Sequence, residues 1–304
     1  GYDGWMHIRE GESSHLTYSS EDNLAFELID ASGTTIATHT APLNVSGGRH
    51  GRYNRSLEAE GGKVTLAFDK YVPGALKKVE EVPGGRPMVS LLFSPDMVSS
   101  EMVVLAMGET GIIGEMTAGF GTGADISINT DGHLFFIKSS KGLRSTVMQE
   151  MRSVDYPADS LVILSRGVVY TVGSYRIMPQ VMTMSGEVVP AGTTDGGSSG
   201  GVLEFTLSGD GFSKRIYLWN DGKEDRSAWQ GDAGNHTARI SWGASGRELP
   251  FSLRLEDFIV ERYPGSSSPS GFISRVTLKD TDSEMPYDIY MNHILDYQGY
   301  RFFQ

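Results

Sequence analysis

Cysteine is absent from this chain of 304 residues. Its absence excludes disulfide bonds, thiol nucleophiles, thiolate zinc sites and thiol redox relays. It does not fix the cellular compartment, because a large extracytoplasmic domain can rely on its hydrophobic core without disulfides.

Long hydrophobic runs are also missing. The longest apolar run extends from Met102 to Met107, whereas a helix needs about 20 apolar residues to cross a bilayer. The sequence opens on Gly1 and stops abruptly after the aromatic stretch from Arg301 to Gln304. These ends predict that the sequence is a piece of a longer protein.

Basic residues are scarce, with 26 Lys and Arg against 38 Asp and Glu and a net charge of −12. Proteins that bind phosphate backbones do so through clusters of Lys and Arg. The nearest approach to a cluster is Lys77-Lys78, which is followed at once by Glu80-Glu81. The charge pattern therefore argues against nucleic acid as a partner and against electrostatic docking on anionic lipid.

Glycine is abundant, at 38 residues, and apolar residues alternate with polar ones along most of the chain. This alternation is typical of strands with one buried face, and the glycines favour tight turns between them. About thirteen strands at a spacing of about ten residues predict an all-β protein with little helix, built as sandwiches or barrels. Only residues 143–154 suggest a helix.

Residues 192–201 consist of Gly, Ser, Thr and Asp, a composition typical of a flexible linker. They predict a boundary between a β-rich part at 1–195 and a second β-rich part at 196–304. The alternative is a long hairpin loop within one domain. The segments 26–74 and 205–265 share a strand and turn, an aromatic-ended strand and a Pro-Gly turn, which favours a duplicated module.

Catalytic patterns are weak throughout the sequence. The seven histidines show no metal-binding spacing, and the nearest match to a serine elbow, residues 196–200, lies in the polar linker. Adjacent carboxylates such as Glu256-Asp257 are typical of glycosidases, but they are common in an acidic β-rich chain. No catalytic or metal site is predicted.

The last quarter of the chain carries a more specific pattern. An apolar strand from Leu249 to Phe258 precedes the turn Tyr263-Pro264-Gly265. Then come a strand at 272–280 and the closing run at 289–304, which contains Asn292, Leu295, Tyr297 and Gly299 before Tyr300-Arg301-Phe302-Phe303-Gln304. This order resembles the extracytoplasmic domain of ResB, also called CcsB, a cytochrome c biogenesis protein, and more closely the fused ResB–CcsA type of Bacteroides-like bacteria. The likeness is specific over residues 249–304.

The resemblance implies a non-catalytic, periplasmic domain of a membrane-bound haem-delivery and attachment complex, anchored by helices outside this sequence. Its expected partner is apocytochrome c or a haem-export subunit. We expect alternating faces of the closing run to bury one set of aromatic side chains and expose the other, and Gly299 to mark a bulge or a close backbone approach. The predicted partner-binding residues are Asn292, His293, Tyr297, Tyr300 and Phe302, with edge-strand pairing as one mode of binding.

Haem itself is expected to be handled by the full complex and not by this domain. His and Met are ordinary haem ligands, but an extended strand would place Met291 and His293 on the same face, with Asp288 and Asp296 as carboxylate neighbours of the imidazole. Two other functions stay open. One is an envelope carbohydrate-active hydrolase, and the other is a glycan-binding or adhesin module that uses Trp5, Trp219, Trp229 or Trp242.

Overall fold

The computed structural model describes residues 3–45, 51–96, 98–193, 200–222 and 226–304. It is 72% strand and 0% helix over what it describes, so the predicted all-β class is confirmed. No described helix could span a membrane. The strands are β1 Gly4–Trp5, β2 Ser13–Ile29, β3 Thr35–Pro42, β4 Asn54–Ala59, β5 Gly62–Pro73, β6 Ala75–Ser94, β7 Glu101–Ala106, β8 Thr110–Ile113, β9 Met116–Phe120, β10 Ile126–Thr130, β11 Phe135–Ser139, β12 Leu143–Val147, β13 Arg152–Tyr156, β14 Val162–Ile163, β15 Val168–Val172, β16 Tyr175–Thr193, β17 Gly201–Gly209, β18 Phe212–Asn220, β19 Arg226–Ala233, β20 His236–Arg262, β21 Pro269–Asp280, β22 Ser283–Tyr290, β23 Leu295–Tyr297 and β24 Tyr300–Phe302.

The strands form two compact units that differ from the predicted parts 1–195 and 196–304. One unit contains Gly1–Tyr71 together with Leu203–Gln304, and the other is the inserted segment Val72–Val202. The reason is a long-range pairing, because β2 lies antiparallel to β20, from Ser13 opposite Arg254 to Ile29 opposite Thr237. Within the predicted linker, residues 194–199 lie outside the described part of the chain.

The inserted unit is a sandwich of two sheets. A six-stranded sheet has the order β13-β12-β15-β16-β6-β7, and a five-stranded sheet has the order β14-β11-β10-β9-β8. Buried side chains from both sheets form one core, which includes Phe93, Phe120 and Tyr170. Alternating strands bury one face each, and stacking two such sheets encloses both buried faces.

The predicted helix at 143–154 is wrong. Residues 143–147 and 152–156 form a hairpin in which Leu143 lies opposite Tyr156 and Arg144 opposite Asp155. Arg144 and Asp155 form a two-point ion pair across the strands, with N–O distances of 2.7 and 2.9 Å. The apolar residues in this stretch are spaced for neither one helical face nor a fully buried strand, so cross-strand pairing decides the structure.

The other unit contains a seven-stranded sheet, in which β1, β2, β20, β21 and β22 are neighbours in that order and β3 and β19 pair with β2 and β20. Its four-stranded partner sheet has the order β18-β17-β5-β4. The core of this unit includes Phe26 on β2, Phe205 on β17 and Ile240 on β20. Both segments of the predicted duplication thus contribute to this unit.

The second half of β20 continues beyond this core. From Ser252 to Arg262 it pairs with β21, and β21 pairs with β22 in an unbroken register from Ile273–Tyr290 to Asp280–Ser283. We call this three-strand segment the ribbon. The strands β23 and β24 form a separate hairpin with a two-residue loop, and this hairpin packs on the ribbon.

Candidate binding cleft on the C-terminal ribbon

The two faces of the ribbon have opposite chemistry. Its outer face carries three exposed ion pairs, each about as strong as a typical surface pair: Arg254–Glu256 at 3.4 Å, Arg275–Asp288 at 3.1 Å and Lys279–Glu284 at 3.2 Å. Its inner face carries the buried side chains Leu253, Leu255, Val276, Leu278 and Ile289. The outer face is satisfied by its own charges and water, whereas the inner face requires apolar cover.

A β-bulge extends the apolar inner face toward the far end of the ribbon. Leu255 lies opposite Val276 but Asp257 lies opposite Arg275, so Glu256 is an extra residue in β20. One extra residue reverses the alternation of side chains. Phe258 therefore joins the inner face, where its ring stacks on Phe272 with 6.0 Å between centroids. The two rings are 40% and 43% exposed.

At the near end of the ribbon the β23–β24 hairpin covers the inner face. Three of the predicted partner-binding residues, Tyr297, Tyr300 and Phe302, place their rings edge-on to buried Phe251, with centroids 5.0, 5.7 and 6.0 Å away. Edge-to-face packing at these distances is favourable for aromatic rings. These side chains are half-buried in the local core, and the exposed rings of the closing run are Tyr290, at 41%, and Phe303, at 71%.

Gly299 lies in the tight turn of this hairpin and not in a bulge. Tyr297 pairs with Tyr300, so Gln298 and Gly299 form a two-residue loop, with φ angles of 49° and 81°. Two consecutive positive φ values are typical of the hairpin turn that matches strand twist, and glycine adopts them at low cost.

Beside the hairpin, the inner face of the ribbon borders a cleft of about 830 Å³. Its floor is the inner face of the ribbon, and its walls are residues 3–8 and 298–304. Cavities of this size are typical of ligand-binding sites. The apolar side chains around it are Trp5, Met6, Ile8, Leu253, Leu255, Val276, Ile289, Tyr300, Phe302 and Phe303.

The charged side chains lining the cleft are Arg247, Arg301 and Asp3. The Arg247 guanidinium lies over the Tyr300 ring, 5.9 Å from its centroid. The Nε of Arg301 donates a hydrogen bond to Asp296, at 3.1 Å. The cleft thus combines an apolar floor with two guanidinium groups at its rim, both of which interact with other groups of the chain.

Asp280 attaches the hairpin to the end of β21. Its carboxylate accepts hydrogen bonds from the Thr281 backbone N–H at 2.7 Å, the Tyr297 hydroxyl at 2.8 Å and the Gln298 amide at 2.9 Å. The pKa of Asp280 lies below its ordinary value because these donors stabilise the charged carboxylate. The largest contribution comes from the Thr281 N–H, and the next comes from the Tyr297 hydroxyl. The ionised carboxylate therefore helps to hold one wall of the cleft.

Asn292 and His293 lie outside the cleft, in the turn after β22. Asn292 has a φ of 63°, and His293 bridges back to Tyr290, so Met291 and His293 are not neighbours along an extended strand as expected. Met291 is 84% exposed. The partner-binding role of Asn292 and His293 stays a prediction.

The prediction that the carboxylates of Asp288 and Asp296 lie beside the His293 imidazole is also wrong. Its Nδ1 is 2.6 Å from the backbone oxygen of Asp288, and its ring stacks on Tyr287 and Tyr290, with centroids 4.8 and 4.4 Å away. The carboxylates of Asp288 and Asp296 are paired with arginines instead. The imidazole is thus held by a carbonyl and two aromatic rings.

The sequence analysis missed the contribution of the N-terminal residues to this site. Trp5, Met6 and Ile8 line the cleft because β1 pairs with β2, which pairs with β20. Trp5 also stacks on Tyr18, 4.8 Å between centroids. No local sequence pattern predicts this contact, because pairing between distant strands brings the N-terminal residues to the C-terminal part of the chain.

The other tryptophans do not form a common surface with Trp5. Trp242 is buried, and its indole N–H donates to the backbone oxygen of Leu43 at 2.8 Å. Trp229 packs against the same core, with the Lys214 ammonium 5.4 Å from its ring. A glycan platform built from several tryptophans therefore gains no support from their positions.

Comparison with known proteins matches the same region of the chain. Residues 223–304 match the model of the ResB-like family. We call residues 223–304 the ResB-like segment, after the family model that they match. Protein NrfI of Wolinella succinogenes is 45% identical over 67 residues, which are 21% of this chain and 7% of that protein. The resemblance to ResB is thereby confirmed for the C-terminal part of the chain.

Most of the cleft lies within the ResB-like segment. The floor, both rim arginines and the hairpin belong to it, whereas residues 3–8 and Thr17 come from outside. The bulge residue Glu256 and Asp257-Phe258 belong to the strand that carries the resemblance. The family-like pattern thus coincides with the residues that shape the open apolar face.

Proposed function

We propose that this chain is a non-catalytic, extracytoplasmic part of a membrane-bound cytochrome c assembly complex, and that its ResB-like segment docks apocytochrome c or a haem-export subunit. The observation that carries the proposal is the open apolar cleft within that segment. Open apolar surface bordered by polar residues is typical of protein-binding sites.

The chemistry of the cleft supports binding over hydrolysis. A glycosidase requires two carboxyl groups about 5 to 10 Å apart, and of the described residues that line the cleft only Asp3 has a carboxylate. The described residues contain no cluster of three or more His, Asp or Glu placed to hold a metal ion. The alternative of a carbohydrate-active hydrolase therefore has no candidate site in this cleft.

The geometry of His293 does not fit an axial haem ligand. Tyr287 and Tyr290 stack on its ring, and its Nε2 is 3.5 Å from the Tyr287 hydroxyl. We expect hemin titration of the chain to give no saturable Soret band at micromolar concentration. A band of that affinity that disappears in His293→Ala would overturn this part of the proposal.

Complementation tests the proposed function. In the full-length protein, expressed in place of the native copy, Phe303→Ser removes an exposed aromatic ring from the cleft wall and Arg301→Glu reverses a charge at its rim. We expect both variants to lower the amount of haem-stained cytochrome c while the protein itself remains at its normal level.

Tyr263→Ser is the matched control, because Tyr263 is an exposed aromatic residue that does not line the cleft. It should leave cytochrome c assembly unchanged. Normal assembly in both cleft variants, at normal protein levels, would contradict the proposed function.

A further inference from the structure

We propose that His39 and Arg55 form a pH-sensitive clasp between the strands β3 and β4, closed while the imidazole is neutral and released when it is protonated. The clasp lies in the unit that contains the seven-stranded sheet and its four-stranded partner. It is independent of the proposed function, because it is defined by the contacts of these two side chains with each other and with Tyr53.

The strands β3 and β4 meet along one side of this unit. Each is a terminal strand of its sheet, since among the described strands β3 pairs with β2 and β4 pairs with β5. The two strands pack on each other, and both contribute apolar side chains to the same core: Ala37, Ala41, Leu57 and Ala59. A contact between β3 and β4 therefore joins the two sheets on a side where the described strands form no backbone pairs.

His39 and Arg55 interrupt the apolar inner faces of these two strands. His39 lies between Ala37 and Ala41 in β3, and Arg55 precedes Leu57 by two positions in β4. Because side chains two residues apart point to the same face of a strand, both polar residues lie on the core side. There the Nε of Arg55 donates a hydrogen bond to the Nε2 of His39, at 3.0 Å.

The hydrogen bond from Arg55 fixes the protonation state of His39. A guanidinium donates and cannot accept, so Nε2 must be the unprotonated nitrogen of a neutral imidazole. The ring proton is then on Nδ1, which lies 3.1 Å from the hydroxyl oxygen of Tyr53. Tyr53 is buried, and burial raises its pKa to about 12, so the neutral phenol can accept this second hydrogen bond.

Protonation of His39 removes the acceptor and places a second positive charge beside the guanidinium. Of the described charged groups, Arg55 is the one that acts on His39. Burial, and after it this charge, lower the pKa of His39 below the ordinary value of about 6.5. The carboxylate of Glu27 on β2 belongs to a residue opposite Thr38, on the other face of the sheet.

The direction of the pH effect follows from this lowered pKa. The folded chain binds the His39 proton less readily than the unfolded chain does. The contribution of the clasp to stability is therefore present above about pH 6.5 and is lost as the pH falls.

Nitrogen NMR of the chain, isotopically labelled in its histidines, tests the geometry of the clasp. We expect neutral His39 to carry its proton on Nδ1 and to titrate below about pH 6.5. The spectrum of His39→Gln assigns the His39 signals. In Arg55→Gln, which lacks the positive charge, His39 should titrate at a higher pH than in the unaltered chain. A neutral His39 protonated on Nε2, or titration at or above about pH 6.5 in the unaltered chain, would rule the clasp out.

Hydrogen exchange tests the release. Corrected for intrinsic rates, exchange in Thr35–Pro42 and Asn54–Ala59 should rise about two- to fivefold between about pH 7 and about pH 5, the range expected for loss of one exposed charged contact. His39→Gln keeps a side-chain oxygen that can accept from Arg55 but does not titrate, so it should show no such rise. Circular dichroism verifies that this variant folds.

His15→Gln is the matched control, because His15 is an exposed histidine on β2 in the same unit. Its two strands should respond to acid as those of the unaltered chain do. Constant exchange in the unaltered chain would show that protonation leaves the clasp closed. A rise of equal size in His39→Gln would assign the pH effect to another group, and either result would overturn the proposed release.

Discussion

The sandwich at 72–202 and the ribbon of the ResB-like segment differ in how their apolar faces are covered. Both are made of alternating strands with one apolar face. In the sandwich two sheets enclose 18 buried apolar residues between them, whereas the ribbon core contains eight and is covered by a short hairpin. The sandwich covers its apolar face with its own second sheet, and the ribbon leaves part of its face open.

The difference indicates where stability and binding reside. A closed sandwich core maximises the apolar area removed from water, so substitutions there act mainly on folding. An open face retains exposed apolar area, so substitutions there act mainly on what binds. The part that matches a known family is the part with the open face.

The largest effect is expected in the sandwich. Phe93 is fully buried in the core, and Phe93→Ala should lower the free energy of unfolding by about 3–5 kcal/mol, through lost transfer energy and a cavity. Urea denaturation followed by circular dichroism measures it. Ile112→Ala, at a position 76% exposed in the same unit, is the control and should change stability by less than about 0.5 kcal/mol. Equal effects would contradict the closed core.

A smaller effect is expected where the hairpin covers the ribbon. Phe251→Ala removes the ring on which Tyr297, Tyr300 and Phe302 pack, and it should cost about 2–4 kcal/mol. Hydrogen exchange should rise most in residues 295–302, because they lose their common contact. If exchange in the hairpin is unchanged, another contact holds it.

The stacked pair at the open end should matter little for folding. Phe272→Ser removes a ring that is 43% exposed, so the free energy of unfolding should fall by no more than about 1 kcal/mol. Urea denaturation followed by circular dichroism measures this change. A loss as large as that in Phe93→Ala would mean that the pair belongs to the folding core and would erase the distinction between the two regions.

The smallest effect concerns pH and is local. The pKa of Asp280 is lowered in the folded chain, so its stabilising contribution is present above the ordinary pKa and is lost as the pH falls below about 4. Hydrogen exchange in residues 295–302, corrected for intrinsic rates, should then rise, while that in Val168–Val172 of the sandwich stays constant.

Asp280→Asn provides the control for this pH effect. Its amide oxygen can still accept the hydrogen bond from the Tyr297 hydroxyl, but it does not titrate. Hydrogen exchange in residues 295–302 of this variant should therefore show no acid step, that is, no rise as the pH falls below about 4. An acid step of the same size in the variant would assign the change to another carboxylate.

Particular elements show how much of the structure could be predicted from the sequence. Alternation and glycine turns predicted the all-β class, and the strand at 272–280 was placed from its pattern alone. Residues 143–154 were misassigned because their apolar spacing is mixed and the hairpin depends on pairing across strands. Of the predicted site residues, Tyr300 and Phe302 line the cleft and Tyr297 packs on Phe251 in the same hairpin, but Asn292 and His293 lie in a separate turn.

The sequence by itself determined the strand-rich class, the exclusion of thiol chemistry and the family likeness of the C-terminal part, because these depend on composition and on local order. Only the tertiary structure decided the rest. It joined β2 to β20, brought Trp5 to the cleft and, through the bulge at Glu256, turned Phe258 onto the inner face. Pairing between distant strands fixes such contacts, and the period of one strand does not encode which other strand it will meet.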